Sequence, residues 1–156
     1  MEDCPICRRQ KHNEQEEAQA SIIFEDNLFV LRHSQETNIY GYLLLESKRH
    51  FLDLAEATAT EAGQVGIVLQ RALRSIKAVI KPKRIYTFSF AEVVPHFHVH
   101  IVPATSYLPK AFRGRGIVNY PLNPPGEQKV INDTCRDLKL AFSRLNPEFS
   151  SNYSNR

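Results

Sequence analysis

The stretch that decides the fold is Pro95-His96-Phe97-His98-Val99-His100-Ile101-Val102-Pro103. Imidazole and apolar side chains alternate along it, which is the pattern of a β-strand with two different faces. Because alternate side chains project to the same side, His96, His98 and His100 are predicted to line one surface. The apolar residues between them face the opposite layer. The stretch therefore predicts a strand that carries three imidazoles on a rigid support.

Three imidazoles on one surface have several possible uses. Near neutral pH an imidazole can act as a nucleophile, as an acid or base, or as a metal ligand. The same row is also compatible with partly exposed strand histidines or with a simple metal-binding row. The alternation favours a functional site, because the apolar residues indicate that the opposite face is anchored in a core.

Around this strand the chain predicts a compact α+β domain with an antiparallel sheet. Short apolar runs predict strands at 21–24, 27–31 and 42–45. The alternation of aromatic and hydroxyl residues at 86–90 predicts a further strand before the histidines. The expected order is three strands, a helix, two strands and a C-terminal helix.

Two helices are predicted from capping and periodicity. Thr58 and Glu61 have the spacing of a capping box, so a helix should begin there. Its apolar residues recur at helical spacing, and it should end before Pro82, which cannot continue the hydrogen-bond ladder. Apolar residues between Ile131 and Leu145 mark the buried side of a final helix.

Length and composition fit one globular domain. The chain has 156 residues, of which 42% are hydrophobic and 24% charged, as in ordinary folded domains. A net charge of +3 is too small and too dispersed to indicate nucleic-acid binding, although it suits a small anionic ligand. Neither a membrane-spanning run nor the apolar stretch of a secretory signal is found, so we expect a cytoplasmic protein without a membrane partner.

The three cysteines divide into a close pair and a single residue. Cys4 and Cys7 are separated by two residues, whereas Cys135 stands apart. In a reducing cytosol the pair is a better metal or redox candidate than a disulfide. Two thiolates at this spacing can bind one tetrahedral zinc ion and leave two positions for imidazoles. A thiol-redox role lacks the strand-then-helix context that is usual for such motifs.

Residues 96–102 resemble the signature of the histidine triad (HIT) family, His-φ-His-φ-His-φ-φ with φ apolar, at every position. The resemblance extends from about Ser21 to Tyr120, because the strand pair, the segment ending at His50 and the helix follow the family's order. Val93-Val94-Pro95 and Phe112-Arg113-Gly114 are similar to a bacterial branch often labelled diadenosine tetraphosphate hydrolase-like.

The resemblance implies a single domain with a HIT-like α+β fold. Its sheet would have about five antiparallel strands, with a long helix packed on it and a C-terminal helix. It divides the chain into an N-terminal zinc-binding segment (1–20), a core (21–120), a C-terminal helix region (121–146) and a frayed tail (147–156).

The resemblance also implies a nucleotidyl hydrolase or transferase. His98 would attack the α-phosphorus of a nucleoside phosphoramidate, phosphosulfate or (di)nucleoside polyphosphate and become transiently nucleotidylated. His100 would donate to a phosphate oxygen or assist the leaving group. The expected ligand is a purine nucleotide or a dinucleoside polyphosphate, and the expected assembly is a homodimer.

Further nucleotide contacts are expected from a group of side chains outside the catalytic pair, namely Phe24, Ser34, Glu92, His96 and Arg113. Ser34 occupies the place where many members carry an acidic residue that holds the ribose. His33 beside it is either a substitute ligand or, as we favour, a solvated strand-end residue. Arg113 or Arg115 could replace a phosphate-binding arginine that is absent after the triad, or this short basic run could be a solvated loop.

The resemblance supports His50 and His96 as the remaining zinc ligands, beside Cys4 and Cys7. Some branches of the wider superfamily use this set, with the first triad histidine as the last ligand. All four positions would be filled by protein, so the zinc would be structural. Because ribose- and phosphate-holding residues are depleted, a zinc-stabilised nucleotide-binding module with little or no turnover is the alternative to an enzyme.

Overall fold

The computed structural model describes residues 4–12, 16–121 and 124–145. Five strands form one sheet in the order β1-β2-β3-β5-β4, and every neighbouring pair is antiparallel. The strands are β1 (Ile22–Glu25), β2 (Phe29–His33), β3 (Leu43–Ser47), β4 (Arg84–Phe88) and β5 (His98–Ala104). The predicted α+β class and the five-stranded antiparallel sheet are confirmed.

Four α-helices accompany the sheet in the described residues: α1 (Pro5–Gln10), α2 (Glu16–Ser21), α3 (Ala59–Val79) and α4 (Gln128–Arg144). The capping box that begins α3 is present. The Thr58 side chain accepts from the Glu61 N–H, and the Glu61 carboxylate accepts from the Thr58 N–H. The helix ends before Pro82, as the sequence predicts. None of the described helices combines the length and apolarity that crossing a bilayer requires.

One face of the sheet is buried beneath α3 and α4. Leu31, Leu43 and Ile101, from the three central strands, are fully buried there. They pack against α3 and α4, which contribute Val68, Ile76 and Leu138. Complete burial of each such side chain is worth about 1.5–3 kcal/mol. This core holds β5 in position through the helix-covered face of the sheet.

The other face carries the imidazoles. In the sheet register His98 lies opposite Glu46 and His100 lies opposite Leu44, so these side chains share one face. A second, smaller cluster covers part of this face near the end of β5, and it includes Tyr42, Val102 and Ile117. The remaining part is the candidate site.

Four strands begin later than predicted, β1 and β3 by one residue and β2 and β5 by two. β2 begins at Phe29 because the Asp26 carboxylate accepts the N–H groups of Leu28 and Phe29 and forms a tight turn. β5 begins at His98, so His96 precedes the strand. The predicted row of three imidazoles therefore divides into a pair on β5 and a separate ring. The predicted tail at 147–156 lies outside the described residues.

Candidate active site

His98 presents one ring nitrogen without a proton. Its Nδ1 lies 2.7 Å from the carbonyl oxygen of His96, and because a carbonyl only accepts, Nδ1 must carry the hydrogen. In the neutral ring Nε2 then keeps its lone pair and can only accept a hydrogen bond. The side chain is 8% exposed, so the ring is held but still reachable. This is the arrangement that a nucleophilic imidazole requires.

His100 lies directly beside this nitrogen. The Nε2 atoms of His98 and His100 are 3.0 Å apart, and the ring of His100 stacks on Phe88 with 4.7 Å between centroids. Burial, together with the neighbouring His98, lowers the pKa of His100 to about 4. His100 is therefore neutral at pH 7 and acts there as a hydrogen-bonding group, not as a cation.

A cavity of about 440 Å³ opens beside the two imidazoles. Aromatic and aliphatic side chains form most of its wall, including Phe88, Phe90 and Tyr120. Two acidic residues, Glu36 and Glu92, also line it, and no lysine or arginine is among its lining residues in the described part of the chain. The cavity therefore combines apolar walls with negative charge.

A second group of side chains converges at the start of β5. Nδ1 of His96 lies 3.4 Å from each sulfur of Cys4 and Cys7 and 3.2 Å from Nδ1 of His50. Cys7 Sγ lies 3.5 Å from His50 Nδ1. In a tetrahedral zinc site the N–N and N–S edges are about 3.3–3.6 Å, given the usual Zn–N and Zn–S distances. The four donors are compatible with one tetrahedral zinc ion.

The ring of His96 is oriented for this group. Its Nε2–H donates to the carbonyl oxygen of Ser47, 2.7 Å away, which leaves Nδ1 as the nitrogen directed at the cysteines. The side chain is fully buried. With both nitrogens engaged, the ring has no free nitrogen for the nucleotide contact that the sequence suggested.

An ionic cluster that sequence reasoning missed anchors α1 on the imidazole face. Glu46 is fully buried and forms ion pairs with Arg9 of α1 and with Arg32 of β2. A buried carboxylate requires such partners, because desolvation without compensation costs several kcal/mol. The sequence signal was a single acidic residue within the otherwise apolar strand Leu43–Ser47.

The other predicted nucleotide contacts fall in different places. Glu92 lines the cavity. Phe24 lies on the helix-covered side of the sheet, with its ring 5.0 Å from that of Phe142. Ser34 is buried, and its hydroxyl faces the Glu36 N–H. Arg113 donates to the carbonyl oxygens of Leu108 and Ser106 and is not among the residues that line the cavity. The structure does not bring Phe24 or Arg113 to the imidazole pair.

His33 is not the solvated residue that we favoured from the sequence. It is fully buried, and burial lowers its pKa to about 4. Its Nδ1–H donates to the carbonyl oxygen of Ser34 at 2.6 Å, and its Nε2 accepts from the Gly41 N–H at 2.9 Å. Gly41 has φ = +86°, a conformation that favours glycine. The imidazole therefore closes the turn between β2 and β3.

Tyr42 is a site residue that the sequence indicated only as part of a strand. Its hydroxyl oxygen lies 2.8 Å from Nδ1 of His100, and it also lines the cavity. Strand alternation alone could not reveal this contact. It depends on the register between β3 and β5, which a single sequence does not specify.

Comparison with known proteins gives a consistent family match. The HIT domain model matches residues 15–106, which is more than half of the chain. No curated protein matches the chain significantly.

Solved structures of the same fold cover most of the chain. A hypothetical histidine triad nucleotide-binding protein from Sulfolobus tokodaii strain 7 is 17% identical, with coverage of 97% of this chain and 100% of that one and a TM-score of 0.72. A zinc-bound histidine triad family protein from Mycobacterium smegmatis is 19% identical, with coverage of 92% and 95% and a TM-score of 0.65. A HIT family member from Bacillus subtilis is 21% identical over 67% and 75%, with a TM-score of 0.56. At these identities the likeness shows the fold.

The structural role of His33 predicts a large stability effect. His33→Ala removes a fully buried ring and leaves the Gly41 N–H without its acceptor, so the free energy of unfolding should fall by about 2–4 kcal/mol. His12→Ala changes an exposed residue and should stay within about 0.5 kcal/mol of the parent. Urea denaturation of both variants measures this, and equal midpoints would show that His33 is dispensable.

Proposed function

The chain belongs to the HIT domain family, and from this premise we propose that it is a nucleotidyl hydrolase or transferase that uses His98 as its nucleophile. The substrate is a nucleoside phosphoramidate or a (di)nucleoside polyphosphate, cleaved at the α-phosphorus. The observation that carries the proposal is the 2.7 Å hydrogen bond from His98 Nδ1 to the His96 carbonyl oxygen. It leaves Nε2 as an unprotonated nitrogen next to an open cavity.

In the first step Nε2 of His98 forms a bond to the α-phosphorus while the bond from phosphorus to the leaving group breaks. The imidazole gains a positive charge, and the hydrogen bond from Nδ1–H to the His96 carbonyl stabilises that charge. In the second step water attacks the same phosphorus and the P–N bond breaks. The leaving group takes its proton from solvent, and the attacking water returns one, so His98 is regenerated as a neutral ring.

His100 supports the phosphate during both steps. Its ring is neutral at pH 7, because its pKa is lowered to about 4, so we propose that it acts through Nε2–H as a neutral hydrogen-bond donor and not as a cation. This nitrogen is 3.0 Å from the attacking nitrogen, and an oxygen on the reacting phosphorus would lie close to both. Donors aimed at developing charge are usually the largest single contribution to catalysis of this kind.

The charge of the cavity favours one class of leaving group. Glu36 and Glu92 line the cavity, with no lysine or arginine among its described lining residues. A polyphosphate leaving group would bring several negative charges toward these carboxylates, whereas an amine brings none. We therefore propose that nucleoside phosphoramidates are cleaved in preference to dinucleoside polyphosphates.

We further propose that a structural zinc ion occupies the site formed by Cys4, Cys7, His50 and His96. The four donor atoms lie within 4.8 Å of one another. Two sulfur and two nitrogen donors are a usual zinc set, and with all four positions filled by protein no water would be activated. When bound, the ion supplies a crosslink between α1 and the start of β5.

Metal analysis tests this site directly. The purified protein should contain one zinc per chain after gel filtration, and Cys4→Ser combined with Cys7→Ser should lose it and lower the unfolding temperature. Cys135→Ala is the matched control, since Cys135 is buried in the core away from the other cysteines, and it should keep full zinc. A parent protein that contains no metal, and that is equally stable with and without added zinc, would contradict the site.

Turnover assays test the nucleophile and the substrate preference together. The parent should release nucleoside monophosphate from adenosine phosphoramidate with a higher kcat/KM than from diadenosine tetraphosphate. His98→Ala should lose at least about 10³-fold in kcat on both substrates, because covalent catalysis has no substitute for the missing nitrogen. His12→Ala should retain parent activity.

Two other outcomes would overturn parts of this proposal. Equal turnover by the parent and His98→Ala would remove His98 from the mechanism. Tight nucleotide binding without turnover of either substrate by the parent would instead support a binding module.

A further inference from the structure

We propose that Tyr42 is a positioning residue for His100: its hydroxyl donates to Nδ1 of His100 and so keeps the ring proton on Nε2, the nitrogen that faces His98. The catalytic role of this contact rests on the proposed function. The hydrogen-bond pattern itself does not depend on any substrate.

The direction of every hydrogen bond follows from one carbonyl group. The His96 carbonyl can only accept, so Nδ1 of His98 carries the hydrogen, and Nε2 of the neutral ring is an acceptor. The contact of 3.0 Å between the two Nε2 atoms then requires that His100 donates from Nε2. Nδ1 of His100 is left as an acceptor, and the hydroxyl of Tyr42, 2.8 Å away, must be the donor.

The environment keeps the phenol and the imidazole neutral. Tyr42 is 7% exposed, and burial, together with the carboxylate of Glu36, raises its pKa. Burial likewise disfavours the charged form of His100, so no proton moves between the two rings at neutral pH. The hydroxyl therefore acts as a fixed donor that selects a tautomer, not as an acid.

The ring of His100 cannot easily turn away from this donor. Phe88 stacks on it at an interplanar angle of 14° from the side of β4, and Tyr42 meets it edge-on, with 5.9 Å between centroids. In the register of the sheet Phe88 lies directly opposite His100. With its orientation fixed by packing, the choice between the two tautomers depends on what the two ring nitrogens contact, and the lone pair of His98 Nε2 and the hydroxyl of Tyr42 favour the same one.

The tautomer matters because it decides what faces the substrate. With the proton on Nε2, His100 offers a donor to an oxygen of the reacting phosphate. With the proton on Nδ1, the lone pair of Nε2 would face both that oxygen and the lone pair of His98, and it would repel them. Removing the hydroxyl of Tyr42 should therefore reduce the stabilisation of the transition state more than it reduces the affinity for the substrate.

Histidine tautomers can be read without any substrate. We would label the histidines of the full chain, in its purified metal-loaded form, with ¹⁵N and record long-range ¹H–¹⁵N spectra at pH 7.5. In the parent, His100 should show a protonated Nε2 and an unprotonated Nδ1. In Tyr42→Phe the share of the Nδ1–H tautomer should rise several-fold. Tyr107→Phe, which changes an exposed tyrosine, should leave the spectrum of His100 unchanged.

Two spectral results would overturn the proposal. One is a parent His100 that carries its proton on Nδ1, which would make Tyr42 the acceptor. The other is a Tyr42→Phe spectrum in which the His100 tautomer matches that of the parent. The parent spectrum is decisive by itself should Tyr42→Phe fail to fold.

Kinetics then link the tautomer to the reaction. With adenosine phosphoramidate, Tyr42→Phe should lower kcat about 10-fold while KM changes less than about 2-fold, the signature of an interaction made mainly in the transition state. A tautomer shift with unchanged kcat would overturn the positioning role. Absence of turnover in the parent, with the expected parent spectrum, would instead defeat the proposed function and leave the hydrogen-bond assignment standing.

Discussion

The hydrogen bond from Nδ1–H of His98 to the carbonyl oxygen of His96 is the interaction on which the site depends. It fixes the tautomer of His98, and the tautomers of His100 and the hydroxyl direction of Tyr42 follow from it. The same residue, His96, directs its ring toward Cys4 and Cys7. One residue therefore orients the ring of His98, the proposed nucleophile, with its backbone and belongs to the metal-compatible cluster with its side chain.

Packing on both faces of the sheet holds His96 and β5 in place. From behind, the core between the sheet and the long helices holds β5 through side chains such as Val99 and Ile101. From the front, α1 packs on the imidazole face, where Arg9 pairs with the buried carboxylate of Glu46. Glu46 lies opposite His98 in the sheet register. The N-terminal segment is thus part of the site's support, which explains why a short polar segment is held against the sheet.

Much of this architecture could be predicted from the sequence, because it is encoded by local patterns. Short apolar runs predicted the first three strands and alternation the last two, and the capping box at Thr58 predicted where the long helix begins. The residues that escaped prediction depend on features that are not local. The burial of His33 is set by the turn at Gly41, and the contact of Tyr42 with His100 is set by the register of β3 against β5. Arg113 donates to a carbonyl group of its own loop. Its positive charge alone therefore did not indicate that it lies away from the imidazole pair.

In the proposed reaction a nitrogen of His98 becomes covalently bonded to phosphorus. Intact-protein mass spectrometry after a millisecond acid quench, with enzyme in excess over adenosine phosphoramidate, measures this directly. We expect a transient mass increase equal to one adenylyl group, which peptide fragmentation assigns to His98 and not to His96 or His100. Product formation with no adduct at any time, or an adduct on another residue, would contradict it.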